Sequence, residues 1–175
     1  MSDFVLVLVS AALVNHLMLH TAPVTRLRVH VLGLCSAVSM LVALPVATLL
    51  PLARGLELLV ALPLLAALAW GIPALLERLR PDWPVAGLPA LLLGNVALLG
   101  GFLQRANDVS GWGAALAWGL CAGAGFWLAL ALFHDLHQRN DHPDLPQAMR
   151  GLPIELIAAG VMAMAFSGLN GLLPQ

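Results

Sequence analysis

The residues of this chain best placed to do chemistry are an amide and two imidazoles. Asn15, His16 and His20 interrupt the end of the first apolar run. His16 and His20 are four apart and so share one helix face, a spacing that also serves metal-ligand pairs. The apolar run around Asn95 holds no Cys, His, Asp or Glu to complete such a set. A helix-end pair meeting water or headgroups is therefore the favoured reading. Asn15 and Asn95 are the polar residues deepest in their runs. An amide there either satisfies backbone groups freed by a broken helix or bonds to a neighbouring helix, and both roles stay open.

Three further groups have suitable side chains. His134, His137 and His142 stand among Asp135, Asp141 and Asp144 in the longest polar link, where a solvated loop is favoured over a metal site. Glu155 lies five residues after Arg150, near one end of the last apolar run. An ionisable group within a span is a candidate for an ion path, although at this depth it can also reach water or Arg150. Cys35 and Cys121 both sit inside apolar runs. They could hold a soft metal only if their helices met, and small-residue packing is favoured for them. Two such cysteines do not suggest a disulfide framework.

The elements that position these residues are set by composition. Of 175 residues, 61% are hydrophobic and 10% charged, and the mean hydropathy is +0.92. Soluble domains are about 45–50% apolar and about 25% charged, so this is an integral membrane protein. All eight basic residues are Arg and the net charge is -1, which leaves no basic face for nucleic acid. Met1-Ser2-Asp3 has an acid and no base, the wrong charge for the start of a signal peptide. The first apolar run is therefore expected to remain as a helix.

A bilayer span needs roughly 20 mostly apolar residues. Six runs qualify, at about 4–20, 29–52, 56–76, 85–103, 112–133 and 152–173, the first and fourth being the shortest. The polar links carry nearly all the charge. Arg26, Arg28, Arg78, Arg80, Arg139 and Arg150 fall on the odd-numbered links, against Arg54 and Arg105 on the even ones. The positive-inside rule then puts the odd links in the cytoplasm and both termini outside, which is the periplasm in a bacterial inner membrane.

A faint internal repeat divides the chain. Gly33-Leu34-Cys35-Ser36-Ala37 echoes Gly119-Leu120-Cys121-Ala122-Gly123, and Asn15 echoes Asn95, at offsets of 86 and 80. Three spans per half is an odd number, so the second half must insert inverted. The expected fold class is an all-α integral membrane protein with six transmembrane helices as two inverted three-helix repeats. It forms one domain over 1–175, with halves of about 1–80 and 81–175, and helices one and four are short or broken. Interrupted short spans in corresponding halves are the sequence pointer to a central site. Pro89, Gly94 and Asn95 would permit a mid-membrane break in span four, which lipid tolerates where neighbours satisfy the freed backbone. Small residues at Gly119 to Gly123, and at Ala159, Ala163, Ser167 and Gly171, fit close helix packing.

These residues are also similar to a known family. The chain resembles RnfA, a membrane component of the Rnf (or Rsx) ion-translocating electron transport complex, and its homologue NqrE of the sodium-pumping Nqr complex. The match is clearest over 123–172: Gly125-Phe126, Leu132-Phe133, Asp144-Leu145-Pro146, Met149-Arg150-Gly151, Ala159-Gly160-Val161-Met162 and the ending Ala165-Phe166-Ser167-Gly168-Leu169-Asn170-Gly171-Leu172. Leu13-Val14-Asn15 resembles the start of the family's L-V-N-N, and Leu88-Pro89 through Asn95 to Gly100 resembles its L-P-L-I-T-T-N-C-x-V-L-G. The resemblance implies six helices, an outside N-terminus, and pairing with a homologous membrane partner of opposite topology, the RnfE type. It also implies a [2Fe-2S] cluster shared between those two partners, on cysteines from broken helices one and four, coupled to movement of Na⁺ or H⁺.

The chain departs from the family at that site. The family's G-L-C-P-F reads His20-Thr21-Ala22-Pro23-Val24, and its T-T-N-C reads Leu93-Gly94-Asn95-Val96. The two cluster-cysteine positions are therefore Ala22 and Val96, and the second asparagine of L-V-N-N is His16. Iron–sulfur clusters are normally held by four thiolates. No cofactor is expected on this chain alone, unless His16 and His20 or Cys35 and Cys121 stand in as ligands. The expected function is an integral membrane subunit of an Rnf/Nqr-type electron transport complex without its own cluster. The alternative is a non-redox scaffold or small ion/solute permease that keeps the inverted-repeat fold.

Overall fold

The computed structural model describes residues 11, 14, 25–49, 56–106, 111–140, 146 and 151–170. Among them six helices are bounded: α1 (Arg26–Leu49), α2 (Glu57–Leu79), α3 (Leu88–Leu93), α4 (Val96–Ala106), α5 (Trp112–Asn140) and α6 (Leu152–Asn170). No strand occurs among the described residues. Three stretches are long and apolar enough to cross a membrane: Arg26–Thr48, Leu58–Leu79 and Trp112–Arg139. A shorter apolar helix runs over Pro153–Phe166. They correspond to expected spans two, three, five and six. Expected span one lies outside the described residues, apart from helical Ala11 and Val14.

Local chemistry sets the helix limits. α1 starts three residues before the expected boundary because Thr25 caps it, its Oγ1 accepting the Arg28 N–H at 3.3 Å. Inside α1, Ser39 Oγ donates to the Cys35 carbonyl at 2.7 Å and Thr48 Oγ1 to the Pro45 carbonyl at 2.8 Å. Hydroxyls bonded back to their own helix can sit in an apolar segment without leaving a bare polar group.

α1 and α5 form the centre of the bundle. Glycines make their approach possible. A Cβ added at Gly123 would stand 2.8 Å from Ala37 Cα, and one at Gly119 would stand 3.1 Å from Leu41 Cα. At Gly33 it would run into the Trp127 ring. The contacts advance along one helix as they retreat along the other, so the pair is antiparallel. Leu32, Met40, Leu44, Phe126, Leu130 and Phe133 are fully buried around this seam. Large apolar side chains such as Leu59, Leu62, Leu128, Val161 and Met164 point outward. Lipid is the solvent for such faces, and close packing by small residues is how membrane helices associate.

The stretch after residue 133 corrects the expectation of a solvated link. α5 continues to Asn140 and carries His134, Asp135 and His137 as helical residues. The helix persists because its inner face stays useful: His134 is buried and Leu136 packs against the core, while Asp135, Gln138 and Arg139 face out. His142, Asp141 and Asp144 lie outside the described residues.

The start of α1, the end of α5 and the turn before α3 gather at one end of the bundle. Arg26, at the start of α1, meets Asp135 at 3.4 Å and donates to Gln138 Oε1 from Nε and Nη2, at 3.2 and 3.1 Å. Arg28 Nη2 donates to the Ala86 carbonyl, in the turn between α2 and α3, at 3.0 Å.

Candidate functional site

The fourth expected span is broken where its sequence allows it. Gly87, in the left-handed conformation (φ 80°), precedes α3, and Pro89 occupies the first turn, where a missing N–H costs nothing. α3 ends after six residues. Gly94 N–H still reaches the Ala90 carbonyl and Asn95 N–H the Leu92 carbonyl, at 3.1 and 3.2 Å. A new helix, α4, then starts at Val96.

Asn95 makes this break tolerable. It is 2% exposed. Its Oδ1 accepts the Ala97 N–H at 3.1 Å, a side-chain cap on α4. Its Nδ2 donates to Ser36 Oγ on α1 at 3.3 Å. Both roles open to an amide here are therefore filled by one side chain: it satisfies the broken backbone and bonds across to another helix. Ser36 is fully buried. The sequence marks it only as part of a small-residue motif, and only its deep position hints that its hydroxyl needs a partner.

Val96, one of the two positions that the resemblance sets against family cysteines, is the first residue of α4 and is 55% exposed. Its side chain lies at the surface. The other position, Ala22, lies outside the described residues, as do Asn15, His16 and His20. A valine isopropyl group offers no electron pair to iron. Cys35 is buried while Cys121 is exposed, so the packing of α1 on α5 does not place the two thiols in one environment. Among the described residues no group of three or more His, Cys, Asp and Glu could hold a metal ion. These donors do not fit a thiolate-bound cluster.

A second polar group sits at the arginine-rich end. Glu155, in the first turn of α6, is 6% exposed. Its Oε1 lies 3.6 Å from His137 Nδ1, and one turn back His134 Nε2 lies 3.2 Å from Gln138 Nε2. The sequence sets Glu155 against water or Arg150; its partner among the described residues is an imidazole of α5. On the outer face of α1 and α5, Trp127 Nε1 donates to His30 Nδ1 at 3.2 Å, with the rings edge to face. Neither pairing is visible in the sequence, because the partners lie on different helices.

These features define a polytopic α-helical membrane protein with a broken, amide-capped pair of short helices, α3 and α4. A family model described as Rnf-Nqr subunit, membrane protein, matches residues 88–173. The A component of the ion-translocating oxidoreductase complex of Cereibacter sphaeroides is 31% identical over 205 residues, covering 100% of both chains. Its counterpart in Alcanivorax borkumensis is 32% identical over 203 residues, 99% of both. The E component of the Na⁺-translocating NADH-quinone reductase of Chlamydia trachomatis is 36% identical over 111 residues, 62% of this chain and 45% of that protein. The chain thus matches less than half the length of the reductase relatives but the full length of the oxidoreductase-complex relatives. It belongs to the Rnf-Nqr family of membrane subunits.

Proposed function

We propose that this chain is the RnfA-type component of an Rnf/Nqr-type ion-translocating electron transport complex, in which it shapes the membrane core without supplying thiolates to a cluster. The observation that carries this reading is end-to-end similarity to the A components of two such complexes. The break at Gly94–Asn95 agrees with a fold that aims half-helices at a central site. The partner would be a homologous membrane protein of opposite topology, in a bacterial inner membrane, with both termini of this chain periplasmic. The coupled ion is Na⁺ or H⁺, and Glu155, a buried carboxylate paired with His137, is the candidate on its path.

The α1–α5 seam supports the inverted-repeat architecture. With the 86-residue offset, Gly33 corresponds to Gly119, Ala37 to Gly123 and Leu41 to Trp127. The contact of Gly33 with Trp127 then mirrors that of Gly119 with Leu41, and Ala37 against Gly123 maps onto itself. Such self-complementary pairing is what a two-fold axis through the seam produces.

Co-expression with the presumed partners, followed by purification on a tag carried by this chain, tests the reading. A flavin-bearing complex is expected to co-purify. Iron content and EPR spectra should show no stoichiometric two-iron cluster requiring this chain. Isolation of the chain alone would instead favour the scaffold or permease reading.

A further inference from the structure

A cleft of about 450 Å³ opens at the arginine-rich end, between the last turns of α2 and the turn leading into α3. Trp70, Pro73, Ala74 and Glu77 form one wall, at the spacing that puts residues on one helix face. Trp83, Pro84, Val85, Ala86 and Gly87 form the other, with Pro89 at its base. The second wall is held in place. Arg28 Nη2 anchors the Ala86 carbonyl at 3.0 Å, Trp83 N–H bonds the Arg80 carbonyl at 3.2 Å, and Trp83 packs on the core. Gly87 turns the chain with φ 80°.

The chemistry of this cleft is specific. It offers two indole rings, three prolines and one carboxylate. Glu77 has no hydrogen-bond or ion-pair partner among the described residues. Indole faces attract cations, and a carboxylate beside them adds a charge partner. The Glu77 and Trp83 end of the cleft lies where an apolar span of 22 residues, Leu58–Leu79, gives way to a polar link, the depth at which tryptophan marks the headgroup layer, and Trp70 lines the deeper, apolar part. Exposed Leu75 and Leu79 flank it with apolar surface, and Arg78 and Arg80 add positive charge beyond the cleft.

We propose that this cleft binds the ammonium group of a zwitterionic aminophospholipid. The ammonium rests on Trp83 against Glu77, the phosphate faces Arg78 and Arg80, and the acyl chains run down past Leu75 toward Trp70. This site is separate from the broken span and does not depend on the redox reading.

The test uses the full chain in detergent micelles, titrated with dihexanoyl-phosphatidylethanolamine and followed by calorimetry. Saturable binding is expected, weakened about tenfold by Glu77→Gln and largely retained by Glu77→Asp. Trp70→Leu, which removes an exposed ring in the deeper part of the cleft without touching the core, should weaken it less than Glu77→Gln does. Dihexanoyl-phosphatidylglycerol should not compete. Equal binding of the two lipids, or unchanged affinity in Glu77→Gln, would overturn the proposal. Free ethanolamine binding as tightly as the lipid would overturn the lipid as its source.

Discussion

Asn95 and Ser36, 59 residues apart, are joined by a buried hydrogen bond of 3.3 Å that ties the break between α3 and α4 to the central helix α1. The same asparagine caps α4 through the Ala97 N–H at 3.1 Å. The half-helix is therefore started and positioned by one side chain. Asn95→Leu removes both bonds and strands a hydroxyl and an N–H in an apolar interior. The expected cost is about 1–3 kcal/mol, the penalty for unsatisfied buried groups, read as a lowered unfolding midpoint in detergent. Ser36→Ala deletes one bond and leaves the cap, so it should cost no more than about 1 kcal/mol, as membrane side-chain hydrogen bonds usually do. Equal effects of the two variants would contradict this division of roles.

Gly123 is the position where the α1–α5 seam has no slack. An added Cβ would meet Ala37 Cα at 2.8 Å and its carbonyl oxygen at 2.9 Å. Both are backbone atoms that cannot rotate aside, so the helices must part. Gly123→Ala is expected to destabilise by about 1–3 kcal/mol, the usual cost of overpacking. At Gly160 an added Cβ meets nothing within 4 Å, and Gly160→Ala should leave the midpoint unchanged or slightly raised. Thermal unfolding of both variants in the same detergent makes the comparison.

The Glu155–His137 pair should behave as a coupled unit. Their side chains are 8% and 24% exposed, with 3.6 Å between Oε1 and Nδ1. His137→Ala removes one partner of a carboxylate in a site that water barely reaches. Breaking such a pair by removing one partner costs more than removing both. The single variant is therefore expected to lose about 1–3 kcal/mol, and adding Glu155→Leu should restore part of that. A double-mutant cycle on unfolding midpoints measures the coupling, and strictly additive losses would refute it.

What the sequence makes legible follows from backbone and solvent constraints. Long apolar runs must be helical in lipid, so expected spans two, three and five correspond to α1, α2 and α5. Pro89, Gly94 and Asn95 together spell out a break because each disfavours helix continuation or favours a cap. The end of α5 is misplaced by the sequence because charge in a link and charge on the outer face of a continuing helix look alike until the buried face of His134 and Leu136 is seen. The partners of Asn95 and Glu155 are beyond its reach for a different reason: Ser36 and His137 sit on helices whose pairing depends on the register at Ala37 and Gly123. That register is written in glycines, which announce close approach but not to what.

Val96 supplies the last prediction, on which way the family's cysteine position faces. It is 55% exposed, whereas Cys35 is 1% exposed and Cys121 also lies at the surface. In a Cys121→Ser background, Val96→Cys is expected to be labelled by a lipid-soluble maleimide in the folded, detergent-solubilised chain. Cys35 should react only after unfolding. Mass spectrometry of peptides from the labelled protein separates the two sites. On the proposed reading a thiol placed at 96 faces a partner rather than this chain's own core, and it would be one donor where a cluster normally takes four. Val96→Cys alone should therefore leave the iron content of the co-purified complex unchanged, while co-purification of that partner should block its labelling. Labelling equal with and without the partner would mean that this face is turned to lipid instead.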